Sequence, residues 1–234
     1  MFTALAFLTV VGRGTAPDGR TLRWFPLAGA MIGAVVGGAW WAAERTFDPL
    51  LAAALVVAVD LTLTGLLHVD GLADSADGLL APMERERRLA VMADPTAGAF
   101  AVTAVGVVLV VRTAAFASLA VDVGLVVGLW CASRSAMALV ALTRPYARPG
   151  GLAAPFLGDR PAVPLALAGI VTGTALATVT AGWSGLAAGL GLVAGVAAVV
   201  VLAHRRIGGF TGDVLGALGV VGETVALVAA AARW

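Results

Sequence analysis

Residues 68–95 read HVDGLADSADGLLAPMERERRLAVMADP, and how these carboxylates sit against the apolar sequence around them decides the fold. The stretch holds Asp70, Asp74, Asp77, Glu84 and Glu86 and closes with Asp94, in a chain where only 12% of residues are charged. Residues three and four apart share one side of a helix, so Asp70, Asp74 and Asp77 form a single acidic stripe if the segment continues helically from the apolar run before it. Like charges at that spacing repel, so something positive belongs on the stripe. Carboxylate oxygens are the ligands that Mg²⁺ and Ca²⁺ prefer, and Mg²⁺ is commonly held by one or two carboxylates, waters and substrate phosphates. The plainer reading is a solvated acidic helix face at a membrane surface. Arg85, Arg87 and Arg88 follow at once, and guanidinium groups beside carboxylates suit a phosphate-and-metal site better than a solvated face.

Outward from this stretch the chain is apolar. Hydrophobic residues make up 60% of the 234, far above a soluble domain's share, and identify an integral membrane protein with room for about seven spans. The net charge of +1 and the absence of a basic patch give no sign of nucleic-acid binding. Cys131 is the one cysteine and lies in an apolar run, which excludes a disulfide or zinc framework. The opening MFTALAFLTVV lacks a basic start and a small-residue cleavage site, against a cleaved signal peptide, and is too short to span; it is expected in the interface or re-entrant.

Seven apolar runs cover about 26–43, 50–68, 97–117, 123–143, 162–181, 184–203 and 214–232. The expected fold is therefore all-α, one polytopic helical bundle over 1–234. All 15 basic residues are arginine, and their placement alternates. Arg13, Arg20, Arg23, Arg85, Arg87, Arg88, Arg144, Arg148, Arg160, Arg205 and Arg206 fall on one side, and only Arg45 and Arg233 on the other. That asymmetry puts the N-terminus and the long loops in the cytoplasm and the C-terminus outside. Gly29, Gly33 and Gly37, Gly185 with Gly189, and Gly191 with Gly195 recur every fourth residue, as close helix packing in lipid requires. Asp60, Arg112 and Arg134 lie inside runs and must face the bundle interior, where they either pair with one another or line a proton or substrate path.

Three further segments converge on the same side. In RPYARPGGLAAPFLGDRP, Pro145, Pro149 and Pro155 forbid a regular helix, and Gly150 and Gly151 between Arg148 and Arg160 either present amides and Arg148 to an anion or simply end a helix. In HRRIGGFTGDVLGA, Gly208, Gly209 and Gly212 allow close backbone approach, Arg205 and Arg206 add charge, and Asp213 is an N-cap, a ligand, or both. TLRWFPLAG sets Arg23 beside Trp24 and Phe25 at the membrane surface.

HVDGLADSADGLL with RERRLAVMADPTAGAF resembles the signature of the cobalamin synthases, the adenosylcobinamide-GDP ribazoletransferases. RTLRWFPLAGAMIG and RRIGGFTGDVLGA resemble that family's N-terminal and C-terminal blocks, in the same order. The resemblance implies a multi-pass inner-membrane enzyme, its active site facing the cytoplasm, that joins adenosylcobinamide-GDP to α-ribazole or α-ribazole 5′-phosphate with release of GMP and with Mg²⁺. It carries the metal-binding carboxylates onto Asp70, Asp74, Asp77 and Asp94 and the motif's histidine onto His68, a candidate base. Asp74 is also expected in catalysis. Arg23, Arg87, Arg88, Arg148, Arg205, Arg206, Gly208, Gly209 and Asp213 are expected around the substrate. Pro95, Thr96 and Ala97 depart from the family pattern, which has a Ser-Arg-like pair before the glycine. Two other classes fit parts of the pattern: a CDP-alcohol-type phosphotransferase, whose Ala-Arg pair LADSADGLL lacks, and a small transporter whose path Asp60, Arg112 and Arg134 would line. Homo-oligomerisation is left open.

Overall fold

The computed structural model describes residues 1–12, 17–148 and 162–233. Arg13, Pro149, Gly150, Gly151, Pro155 and Arg160 lie outside the described residues. The elements are α1 (Phe2–Leu8), a 3-10 turn (Gly19–Trp24), α2 (Phe25–Ala43), α3 (Pro49–Leu63), α4 (Leu67–Leu80), α5 (Arg85–Val91), α6 (Ala99–Ser118), α7 (Val123–Thr143), α8 (Val163–Ala181), α9 (Trp183–Ile207) and α10 (Gly212–Ala231). Among the described residues the one β feature is an isolated parallel bridge between Tyr146 and Phe210. The all-α reading holds.

Local chemistry sets the ends. Proline occupies the first turn of α2, α3 and α8, where its missing N–H is no loss. Asp48, Asp122 and Thr211 cap α3, α7 and α10 by accepting from backbone amides one turn in. Gly208, at φ +77°, closes α9 in the left-handed conformation that glycine tolerates.

The 3-10 turn with α2, and α6, α7, α8, α9 and α10, are six segments each long and apolar enough to cross a bilayer. α7 and α10 form the buried centre, while Val110, Val171 and Leu190 of α6, α8 and α9 face outward. The expected glycine contacts are present. Gly33 lies so near α7 that a Cβ there would stand 2.8 Å from the Val127 Cα, and one at Gly195 would stand 3.0 Å from the Gly222 Cα of α10.

The expected run 50–68 is not one straight helix. α3 stops at Leu63 and α4 leaves it at 90°. Fifteen residues rise only about 22 Å, short of the roughly 30 Å hydrocarbon core. Gly65 and Leu66 both take positive φ, and the Thr64 hydroxyl donates to the Asp60 carbonyl at 2.8 Å, drawing the last turn closed. The opening segment finishes the break: Ala4 and Leu8 of α1 are buried, and the Val10 amide donates to the Leu63 carbonyl at 2.9 Å. The short N-terminal helix is thus a packed part of the bundle that satisfies a carbonyl left open by the bend.

α3 with the opening turn of α4 covers the run expected at 50–68. From Asp70 onward α4 runs across one end of the bundle, from the start of α10 to the start of α6. Gly71 abuts the Asp213 backbone, and Asp77 accepts from the Gly98 amide at 2.6 Å and the Ala101 amide at 2.9 Å.

Candidate active site

The acidic stripe exists, on a helix laid across the bundle end rather than one continuing a span. Asp70 is exposed, Asp74 half-buried and Asp77 buried. A methyl group at Gly71 would meet the Asp213 carbonyl oxygen at 2.7 Å, so glycine is what lets α4 and the first turn of α10 touch. That approach brings Asp213 beside Asp74. Burial, then repulsion from Asp213 and Asp70, pushes the Asp74 carboxyl up to about 7, against the pull of Arg148. Thr211 provides the N-cap of α10, and its hydroxyl donates to Asp213 Oδ2 at 3.2 Å, so Asp213 is not spent as a cap.

Arg148 reaches this face through a backbone clip. The Phe210 amide donates to the Pro145 carbonyl at 2.9 Å and the Ala147 amide to the Phe210 carbonyl at 2.8 Å, joining the chain after α7 to the chain before α10. Arg148 Nη2 then lies 3.8 Å from Asp213 Oδ2 and donates to the Leu89 carbonyl at 3.1 Å. Gly209 serves the clip: its backbone closes on the Pro145 carbonyl, where no side chain would fit. Gly209 therefore seats one loop on its neighbour, while Gly208 ends α9 with the Arg85 guanidinium 3.7 Å from where its Cβ would stand.

Arg88, Asp77, Asp94 and His68 each have close neighbours within the fold. Arg88 is buried, and its Nη1 donates to the carbonyls of Gly78 at 2.8 Å, Leu79 at 3.2 Å and Ala81 at 2.8 Å, capping the C-terminus of α4 instead of facing a ligand. Asp77 accepts at one carboxylate oxygen from the N-cap amide of Gly98 and at the other from the first-turn amide of Ala101 at the start of α6, and Asp94 Oδ1 accepts from the Thr96 amide at 2.9 Å and the Thr96 hydroxyl at 2.5 Å. Those bonds hold the Asp94 carboxyl below its ordinary range. His68 is two residues from Asp70, about 200° around the helix, and is buried against Gly216 on the interior side. Its Nε2 has no hydrogen-bond partner among the described residues, and it does not share the face of Asp70 and Asp74.

Arg87, Arg205 and Arg206 are exposed at the same end, and Arg23 is half-buried in the turn before α2. Arg85, which the sequence reading left outside the substrate set, donates from Nε to the Ile207 carbonyl at 2.9 Å and so ties α5 to the end of α9.

Inside the spans, Arg112 Nη2 meets Asp60 at 2.8 Å and Glu223 at 3.2 Å, Arg134 pairs with Glu223, and the Trp130 indole donates to Asp60 at 3.0 Å. Two acids and two arginines balance, so of the two alternatives for Asp60, Arg112 and Arg134 the structure has the pairing. Glu223 was missed; a lone carboxylate in the middle of the last apolar run was the signal.

Among the described residues no three Asp, Glu, His or Cys side chains form a ready metal cage. What they offer instead is a pair, Asp70 and Asp74, with Asp213 near, all repelling one another and answered only by Arg148. This donor set fits Mg²⁺, which takes one or two carboxylates and completes its shell with waters and phosphate oxygens.

Fold and face together define a polytopic helical membrane protein with an acidic and basic surface at one end of its bundle. The chain belongs to the cobalamin-5-phosphate synthase family, whose model matches residues 1–231. It is 41% identical over 222 residues to the adenosylcobinamide-GDP ribazoletransferase of Pseudomonas paraeruginosa, covering 91% of this chain and 87% of that one. Proteins of the same name from Chlorobaculum parvum and Bradyrhizobium diazoefficiens are each 37% identical, covering 100% and 98% of this chain and 95% and 92% of theirs. No solved structure matches.

Proposed function

We propose that the protein transfers the cobinamide phosphate of adenosylcobinamide-GDP to α-ribazole or its 5′-phosphate, releasing GMP, at the face formed by Asp70, Asp74, Asp213 and Arg148. One observation carries this: three mutually repelling carboxylates are gathered at the bundle end with a single arginine among them in the described residues, an arrangement completed by a divalent cation and an anionic substrate. The relatives' shared name supports the reaction.

In the transfer a ribazole hydroxyl oxygen forms a bond to the cobinamide-side phosphorus, and the bond from that phosphorus to the diphosphate bridging oxygen breaks. GMP leaves with the bridging oxygen, and the hydroxyl proton passes to a carboxylate. The chain's tasks are to hold the two reactants in line and to neutralise the diphosphate. Asp70 and Asp74 would hold Mg²⁺, which supplies charge neutralisation on diphosphate oxygens. Arg148 is pre-positioned by the 145–147 and 210 clip to exchange the Leu89 carbonyl and Asp213 for phosphate oxygens, and exposed Arg87 and Arg205 add positive charge around it. Asp213 orients Arg148. The arginine asymmetry supports a cytoplasmic position for this face, in the inner membrane.

The test is release of GMP from adenosylcobinamide-GDP and α-ribazole by the purified protein in lipid, with Mg²⁺ and then with chelator. Turnover that appears with Mg²⁺ and disappears with chelator is expected. Inactivity in both conditions would refute the reaction, and equal turnover in both would refute the metal.

A further inference from the structure

Beneath α4, on the side away from Asp70 and Asp74, lies a cavity of about 530 Å³ walled by α4, α6, α9 and α10. Its lining includes Ser75, Ala76, Phe100, Ala104, Leu202 and Ala217, almost entirely carbon, and a cavity of that character excludes water. Phe100 (44% exposed), Val107 (57%) and Leu80 (47%) stand at its margin as outward-facing apolar residues, so it opens sideways toward the bilayer.

Two polar features address an occupant. The Ser75 hydroxyl is buried in the α4 wall, 4% exposed, and has no hydrogen-bond partner among the described residues. A buried donor left unpaired costs about 1–3 kcal/mol, so a ligand oxygen has something to satisfy. Arg206 follows Val199 and Leu202 on one stripe of α9, one turn beyond the lining residue Leu202. It is exposed, has no carboxylate within ion-pair distance among the described residues, and repels the buried Arg88 at the end of α4. Arg206, without a carboxylate partner among the described residues, thus stands one turn beyond an apolar cavity whose lining carries the hydroxyl side chains Ser75 and Thr103.

We propose that this cavity holds an acyl chain of an anionic membrane phospholipid, with Ser75 donating to an ester carbonyl and Arg206 binding the head-group phosphate. Helix phase separates the site from the carboxylate face, because Leu72, Ala76 and Leu79 lie about half a turn from Asp70 and Asp74. Arg206, which the sequence groups with the substrate arginines, lies on the α9 stripe that lines this cavity.

The test reads lipid binding, not transfer, and so stands or falls apart from the proposed reaction. The full chain is purified, exchanged into equimolar phosphatidylglycerol and phosphatidylcholine, and the phospholipid retained per chain is measured by native mass spectrometry. Wild type is expected to keep one phosphatidylglycerol per chain, favoured about fivefold over phosphatidylcholine, as one arginine near a membrane surface supplies. Arg206→Gln loses that preference, Arg206→Lys keeps it, and Ala104→Trp, which fills the cavity, loses retention itself. Absence of retained phospholipid in wild type, equal retention of the two lipids, or undiminished retention by Ala104→Trp would overturn the proposal. So would displacement of the phospholipid by α-ribazole, which would make the cavity a substrate subsite.

Discussion

Two groups of acids and arginines stand within one bundle and behave oppositely. In the interior, Asp60, Arg112, Arg134 and Glu223 close their charges on one another, helped by Trp130. At the bundle end, Asp70, Asp74 and Asp213 face one another with Arg148 the cation near them among the described residues, and burial with their repulsion pushes Asp74 up. Charge in a low-dielectric interior must be paired or the fold fails, whereas charge at a wet end can be left unbalanced for a ligand to complete. The first group is architecture, and the second is the face proposed as the site.

Substitutions separate the two. Glu223→Gln removes the shared partner of two buried arginines and leaves positive charge unpaired, a loss on the order of 3–5 kcal/mol, read as a collapse of the thermal transition in detergent. Asp74→Asn is expected to cut turnover by about 10²–10³-fold, the scale of losing a transition-state electrostatic contact, while leaving the transition temperature equal or higher because repulsion is relieved. A comparable fall in stability for the two would dissolve the distinction.

The paired arginines of the bundle end sharpen it further. Arg88→Gln removes donors from three carbonyls at the end of α4 and should cost roughly 1.5–3 kcal/mol of stability, with activity falling as folded protein is lost. Arg148→Gln should spare stability and lower turnover, since among the described residues Arg148 holds one backbone carbonyl, a long contact to Asp213 and an attraction to Asp74. Denaturation midpoints and turnover per folded chain distinguish them.

The smallest effect is one of pH. A carboxyl raised to about 7 keeps its proton in the folded protein where the unfolded chain has lost it, so folded Asp74 binds more protons across that window. Stability of the metal-free protein should therefore fall as pH rises from about 4 to 7, and Asp74→Asn should flatten that part of the curve. Thermal scans across this range check the sign.

The spans were legible because hydropathy reports them directly: 123–143 coincides with α7, and the other ends differ by a few residues. The break at 64–66 was not, because a run of apolar letters reads alike whether straight or bent, and the bend depends on Val10 arriving from far away in sequence. The stripe of Asp70, Asp74 and Asp77 was legible as helical spacing. What spacing hides is which members are already used: Asp77 by the α6 amides, and Arg88 by the α4 carbonyls, both tertiary facts. The interior position of His68 was legible in its phase, since two residues from Asp70 turns it away from the stripe. Gly71 reads as an ordinary glycine until α10 is set against it.

The most direct test is turnover of adenosylcobinamide-GDP and α-ribazole by Asp74→Asn beside wild type, with Mg²⁺, in preparations matched for thermal transition. Loss of GMP release with an unchanged or raised transition is the expected result. Turnover equal to wild type would contradict the account and move the reaction away from this face.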